Sequence, residues 1–338
     1  MGKKTTIIDI AKTAGVSVST VSRILNNKPD VAEETRQRVL RLIEEERFAP
    51  QMPWQQLRSG KSRFIALHFP QDFNPPSQGI ITNAALRCEQ AGFTLNLIVG
   101  SLSENDLLAI FRSGQVDGMI LVEILVHDRR VELLRQHDLS FVLVGRCADT
   151  TGLYTVDSDI GAGVHDAVSH LVGLGHRHIG FVTLGRNTPD KEYGFTTWAA
   201  HGYEDACRQF GLPAYARVAD RTTESVTAVT GALLDEHSAI TAIVTPQDTG
   251  VSGILKAITA RGLRIPDDIS VVGLLDESVA EMTTPPLTAL SFCSRELGFA
   301  AAEMMIARLN GDEVAPHQVL VRPELYIRGS TGPARTRA

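Results

Sequence analysis

What most constrains this chain is a rhythm that begins at Phe64. Short apolar runs alternate with longer amphipathic stretches from there onward. Strand candidates are Phe64–Phe69, Thr94–Val99, Gly118–Val122, Phe141–Val144 and Tyr154–Val156, then His178–Thr183, Ala216–Val218, Ala242–Val244, Ile269–Gly273 and Ala289–Phe292. Helices fall between them, such as Gly79–Ala91, Ser103–Ser113, Val164–Leu174, Gly202–Phe210, Glu224–Leu234 and Gly250–Arg261. Alternation at this spacing implies βαβ units and parallel sheets. The strands are too many for one sheet of this style, so the expected fold class is α/β with two doubly wound lobes.

A different pattern precedes it. Thr6 to Asn26 reads TIIDIAKTAGVSVSTVSRILN. Thr6 can cap a first helix, with Asp9 placed three residues on to complete a capping box. Ile7, Ile10 and Ala11 share one apolar face. Gly15 falls where a left-handed residue ends a helix. Ser17 then caps a second helix, whose inward stripe is Val21, Ile24 and Leu25. Its outward positions, Val18, Ser19, Ser22 and Arg23, are small residues followed by one basic fork. Small side chains let a backbone approach nucleic acid closely, and arginine pairs bidentately with guanine. The segment therefore reads as a helix-turn-helix, with Thr6, Ser17, Val18, Ser19, Thr20, Ser22, Arg23 and Asn26 as candidate DNA contacts. An ordinary helical hairpin is the plain alternative. A turn over Asn26–Asp30 leads to a third helix, Glu33 to Glu46, with Val39, Leu42 and Ile43 inward.

Net charge is −6, which taken alone disfavours nucleic acid. Its distribution reverses that inference. The first 63 residues carry 12 Lys and Arg against 7 Asp and Glu, a net of +5, leaving −11 for the rest. A basic head on an acidic body suits phosphate binding by the head alone. The four cysteines, Cys88, Cys147, Cys207 and Cys293, are scattered without CxxC spacing, so reduced thiols are expected and a zinc site is not. No apolar run reaches membrane-spanning length, and MGKKTTIIDI lacks a secretory core. His165, His170, His176 and His178 cluster in sequence, but histidines without nearby Cys or ordered carboxylates favour a structural role over a metal. No GxxxxGK[ST], no post-strand GxGxxG and no GxSxG is present, so neither an enzyme, a cofactor nor a catalytic residue is expected.

The string AGVSVSTVSRILN resembles the headpiece of the lactose-repressor (galactose-repressor) family of bacterial transcription regulators. VDG at 116–118, HLVGLGHRHIGF at 170–181, GLRIPDDISVVG at 262–273 and PPLTAL at 285–290 resemble it too, so the likeness spans about residues 5–332. The resemblance implies a helix-turn-helix headpiece over 1–50, a hinge helix or linker over 51–62, and a two-lobed effector and dimerisation domain over 63–338 like a type I periplasmic binding protein. In the family a serine caps the third helix. Ala32 stands there, so the cap is expected to fall to Asp30. Leu57 matches a hinge leucine that wedges into the minor groove, although Trp54 departs from the usual alanine.

For effector contacts the resemblance points to Asn74, Pro76, Ser77, Gln78, Arg146, Asp159, Trp198, Gln247, Asp248, Leu275 and Phe292. Two departures stand out: Ala199 replaces the usual arginine and Leu275 the usual aspartate. Loss of that charged clamp favours a ligand with an apolar or aromatic face, or one held chiefly by Asp159, Gln247, Asp248 and Ser77, unless Arg186, Lys191 or Trp198 substitutes. The expected activity is a cytoplasmic, ligand-responsive repressor of a carbohydrate or related catabolic operon. Its partners would be near-palindromic double-stranded operator DNA, a sugar or sugar-derived effector and a second copy of itself. The tail Thr331–Ala338 has no apolar heptads for tetramerisation. The alternative is a soluble small-molecule binding protein without a DNA role.

Overall fold

The computed structural model describes residues 5–25, 30–46, 61–70, 75–185, 192–312, 315 and 317–335. The chain forms two compact units, Met1–Ser62 and Arg63–Ala338.

The first unit contains α1 (Ile7–Ala14), α2 (Val18–Leu25) and α3 (Glu33–Glu45). Thr6 caps α1 reciprocally: its hydroxyl accepts from the Asp9 N–H at 3.3 Å and its own N–H donates to the Asp9 carboxylate at 2.9 Å. Gly15 ends the helix at φ 68°, a left-handed angle that suits glycine. Ser17 takes the Thr20 N–H at 3.1 Å and so caps α2. The core is Ile7, Ile10, Ala11, Ala14, Val21, Ile24 and Val39. The cap of α3 corrects one expectation. Asp30 does not cap it; Ala32 holds the N-cap position with no side-chain bond. Asp30 instead pairs with Arg23 at 2.9 Å, and Glu33 and Glu34 place negative charge on the first turn of α3.

The second unit carries two sheets. The first lobe runs β1 (Phe64–Phe69), α4 (Pro75–Gln90), β2 (Thr94–Val99), α5 (Glu104–Arg112), β3 (Gly118–Leu121), α6 (Arg129–Gln136), β4 (Phe141–Val144) and β5 (Thr155–Ser158). The chain then crosses to α7 (Ile160–Gly173), β6 (Ile179–Leu184), α8 (Gly194–Phe210), β7 (Tyr215–Ala219), α9 (Thr223–Glu236) and β8 (Ala242–Val244). The second lobe continues with α10 (Asp248–Thr259), β9 (Ser270–Leu274), α11 (Glu277–Met282) and β10 (Thr288–Leu290). A return crossing gives α12 (Ser294–Asn310) and β11 (Gln318–Val321), and a last crossing gives β12 (Leu325–Tyr326). Sheet orders are β11-β5-β4-β3-β1-β2 and β12-β10-β9-β8-β6-β7. All pairings are parallel except β10 with β12. The order reverses at β1/β3 and again at β6/β8, so each lobe is doubly wound with one switch point.

Strands β3 to β6 and β8 to β10 are buried along their whole length, which is why β3, β4 and β8 read as unbroken apolar runs, while β5 buries the polar Thr155, Asp157 and Ser158. The flanking helices pack through glycines. A Cβ on Gly202 of α8 would lie 2.2 Å from the Gly161 carbonyl of α7, and one on Gly298 of α12 would lie 2.4 Å from the Ile80 carbonyl of α4. One sequence expectation is corrected here, and two strands fall outside the expected set. Helix α8 starts at Gly194, not Gly202. The edge strands β11 and β12 went unread, one half exposed and the other two residues long.

Candidate effector cleft and DNA-facing helix

Both switch points open onto one cleft between the lobes, with about 880 Å³ of empty space, part of it open to solvent. The first lobe contributes the ends of its strands: Phe69 after β1, Glu123 and Ile124 after β3, Gly145 after β4, and Asp157 and Ser158 from β5. The second lobe contributes Tyr193, Phe195 and Thr196 at the start of α8, Arg221 beyond β7, Gln247 and Asp248 after β8, and Phe292 after β10. Ser77, Ile80 and Leu297 close the sides. Phe195 and Phe292 stack across the second lobe's wall with centroids 6.0 Å apart.

The polar groups divide by what already holds them. Asp157 accepts from Arg146 Nε at 2.6 Å. Burial pushes its carboxyl up to about 6 against the pull of that guanidinium. Asp248 opens α10, and burial raises its pKa too, opposed by its Thr249 backbone bond and the charge of Arg221. Gln247 is committed to structure. Its carbonyl accepts from the Leu184 N–H at 2.5 Å and the Thr183 hydroxyl at 3.3 Å, and its amide donates to the Leu184 carbonyl at 3.4 Å and the Thr196 hydroxyl at 3.4 Å. Arg221 is exposed and, among the described residues, has neither a hydrogen-bond nor an ion-pair partner.

Glu123 sits at φ 51°, a strained angle for a residue with a Cβ. Arg130 holds that turn: its Nη2 donates to the carbonyls of Val122 at 3.1 Å and Glu123 at 3.0 Å, and to Asp128 at 2.7 Å. His68, fully buried beside it, hydrogen-bonds the Gly100 carbonyl at 2.9 Å. Burial lowers its pKa, favouring the neutral ring.

A second link joins the lobes away from the three crossings. Leu125 and Tyr193 form an antiparallel bridge. Val126 donates to the Glu192 carbonyl at 2.8 Å and Gly194 to the Ile124 carbonyl at 3.0 Å. Behind the bridge, Arg146 lies 5.2 Å from the Trp198 ring centroid.

Of the residues that the sequence singled out, Ser77, Gln247, Asp248 and Phe292 line the cleft together. Arg146 and Trp198 stand behind its wall. Asp159 caps α7 by accepting from the Ala162 N–H at 3.3 Å, and Gln78 is exposed outside the lining. Leu275 is 6% exposed within the second lobe's core, and Ala199 is fully buried. Asn74, Arg186 and Lys191, like the side chain of Pro76, lie outside the described residues. Sequence reasoning passed over Phe69, Glu123, Asp157, Tyr193, Phe195 and Arg221. Asp157 and Arg221 sit at or just beyond strand carboxyl ends, which was the available signal. The four clustered histidines each bond a separate partner: His165 to Gln209, His170 to Thr331, His176 to Thr241 and Gly332, and His178 to Tyr215.

On α2, Ser19 and Arg23 are exposed, while Val18, Thr20 and Ser22 are half-buried; Thr6 and Ser17 are exposed at the starts of α1 and α2. The Ser17 hydroxyl also bonds those of Ser19 at 2.7 Å and Thr20 at 2.9 Å. Asn26 and Leu57 lie outside the described residues.

Residues 6–51 match the family described as bacterial regulatory proteins, lacI family, and residues 168–331 match a periplasmic binding protein-like domain. The chain is 32% identical to the HTH-type transcriptional regulator MalR of Streptomyces coelicolor, over 98% of this chain and 97% of that one. Among solved structures, the transcriptional regulator CelR in complex with cellobiose is similar at TM-score 0.72 and 25% identity, over 96% of this chain and 99% of that one. The Lac repressor dimer bound to operator and an anti-inducer is similar at TM-score 0.87 and 24% identity, over 98% of this chain and all of that one.

Proposed function

This chain belongs to the lacI family of bacterial regulatory proteins and is a DNA-binding transcription regulator, and on that premise we propose how it works. It acts in the cytoplasm as a homodimeric repressor that binds a near-palindromic operator through α2 and Leu57. A sugar or sugar-derived metabolite in the interlobe cleft sets its affinity for DNA, and the genes it controls belong to carbohydrate or related catabolism. The observation that carries this reading is the cleft itself. It lies beyond the strand ends at the switch points of both lobes, where folds of this class bind small ligands. Thr6, Ser17, Val18, Ser19, Thr20, Ser22, Arg23 and Asn26 are the proposed headpiece contacts with DNA.

The test selects operator sequences from a randomised duplex pool with the full-length protein. Band shifts then follow at several salt concentrations, with and without metabolites. Enrichment of a palindrome, binding that falls steeply with salt, and a shift in affinity with one metabolite class are the expected results. Enrichment of no sequence, together with clear ligand binding, would instead favour a small-molecule binding protein without a DNA role.

A further inference from the structure

We propose that the molecule taken up in the cleft is an anionic, polyhydroxylated compound, a sugar acid or a sugar phosphate, whose charged oxygens pair with Arg221. The proposal rests on the reading of the cleft as the effector site and adds the charge of what it holds.

Among the described residues, three carboxylates and one guanidinium line the cleft: Glu123, Asp157, Asp248 and Arg221. The charge of Asp157 is already met from behind by Arg146. Arg221 differs from the other described arginines of its lobe. Arg208, Arg217, Arg261 and Arg264 each pair with an acid of the protein, and Arg177 donates to backbone carbonyls. Arg221 has no such acceptor among the described residues, and it is the one that faces the cleft. A guanidinium presents a planar fork that matches a carboxylate or phosphate with two parallel hydrogen bonds.

The surroundings suit the rest of such a ligand. Phe69, Phe195 and Phe292 offer flat apolar contact to the C–H face of a ring. Asp157 and Ser158 on one wall and Asp248 on the other can accept from ring hydroxyls. Asp248 does not use up the arginine, because no ion pair joins them; burial also favours its neutral form. The apolar positions Ala199 and Leu275 lie in the core and take no part. Among the described residues, charge recognition therefore falls to Arg221.

Calorimetric titration and thermal shift of the full-length protein test this with D-glucuronate, glucose 6-phosphate, D-glucose and D-glucosamine, each at low and at high salt. At least one anion should bind about tenfold or more tighter than glucose, with a preference that shrinks as salt rises. Arg221→Gln should remove that preference, and Arg221→Lys should keep part of it. The two anions separate a carboxylate from a phosphate as the recognised group. Glucose or glucosamine binding as tightly as the tighter of the two anions would overturn the proposal, as would anion binding untouched by Arg221→Gln. A neutral metabolite that binds where all anions fail would overturn it equally. Silence toward a broad metabolite panel would sink the effector reading itself, a separate failure from that of the charge assignment.

Discussion

Arg23 and Asp157 are each held by a partner in ways that predict how they respond to change. Arg23 and Asp30 are both about half exposed, 49% and 51% at the side chain. Exposed pairs contribute only about 0–1 kcal/mol, so Asp30 can yield Arg23 to a stronger acceptor. Arg23→Ala should cost about 1–3 kcal/mol of specific DNA binding and relax preference at one base pair per half-site. Band shifts on operator and on random duplex check this, since equal loss on both would reduce Arg23 to a phosphate contact. Asp157 is governed by burial. In the folded protein its carboxyl holds its proton to about 6, against roughly 3.9 in an unfolded chain. Between those values the native state binds more protons than the unfolded state, so Asp157's contribution to stability falls as pH rises through the window. Asp157→Asn keeps an acceptor for Arg146 and should flatten that part of the pH–stability curve. Denaturant titrations between about pH 4 and 7 would show it, and an unchanged slope would mean that other groups set the dependence.

At the scale of elements, the bridge between Leu125 and Tyr193 depends on a glycine. A Cβ on Gly194 would sit 2.4 Å from the Arg146 carbonyl and 3.4 Å from that of Ile124. Backbone cannot yield cheaply there, so Gly194→Ala should part the two strands. The expected result is a loss of about 1–3 kcal/mol of stability and faster ligand exchange, because overpacking is relieved only by moving the lobes. Stopped-flow release of whichever ligand is found would check it; unaltered release would show that the bridge does not gate the cleft. These elements also mark how far the sequence could be read. The capped α1 and α2 and the buried central strands were legible, because local caps and unbroken apolar runs fix them with little help from tertiary contacts. The first turns of α8 were not, since Tyr193, Gly194 and Phe195 carry no cap signal and gain their place from the opposite lobe. Ser77, Gln247, Asp248 and Phe292 could be placed by motif. Asp157 and Arg221 could not, because a charged residue after a strand looks the same in sequence whether its partner is a neighbour, a ligand or water. The His68–Arg130–Asp128 network is hidden for a related reason: it joins residues about 60 apart in sequence, and only topology brings them together.

At the scale of the whole molecule, each sheet ends in an edge strand with bare apolar side chains. In the first sheet it is β2, where Leu97 is 42% and Val99 44% exposed; in the second it is β7, where Val218 is 63% exposed. An uncovered, unpaired edge invites pairing with another chain, and proteins ordinarily blunt it with charge unless an interface covers it. Neither Leu97 nor Val99 is so protected, which fits a second copy of this chain as the cover. DNA binding then depends on that contact. On the proposed reading each headpiece takes one half-site, and linking two headpieces makes the second binding event intramolecular, worth about 10²–10⁴ in apparent affinity. Leu97→Lys with Val99→Lys should therefore yield a folded monomer of 36.7 kDa, whereas the wild type is expected to sediment at twice that mass. The same variant should lose operator affinity by about two orders of magnitude or more while retaining ligand binding in the cleft. Sedimentation equilibrium and band shift on one preparation separate the outcomes. A variant that stays dimeric with full operator affinity would move the interface elsewhere, whereas one that becomes monomeric yet binds the palindrome unimpaired would show that the headpieces need no coupling.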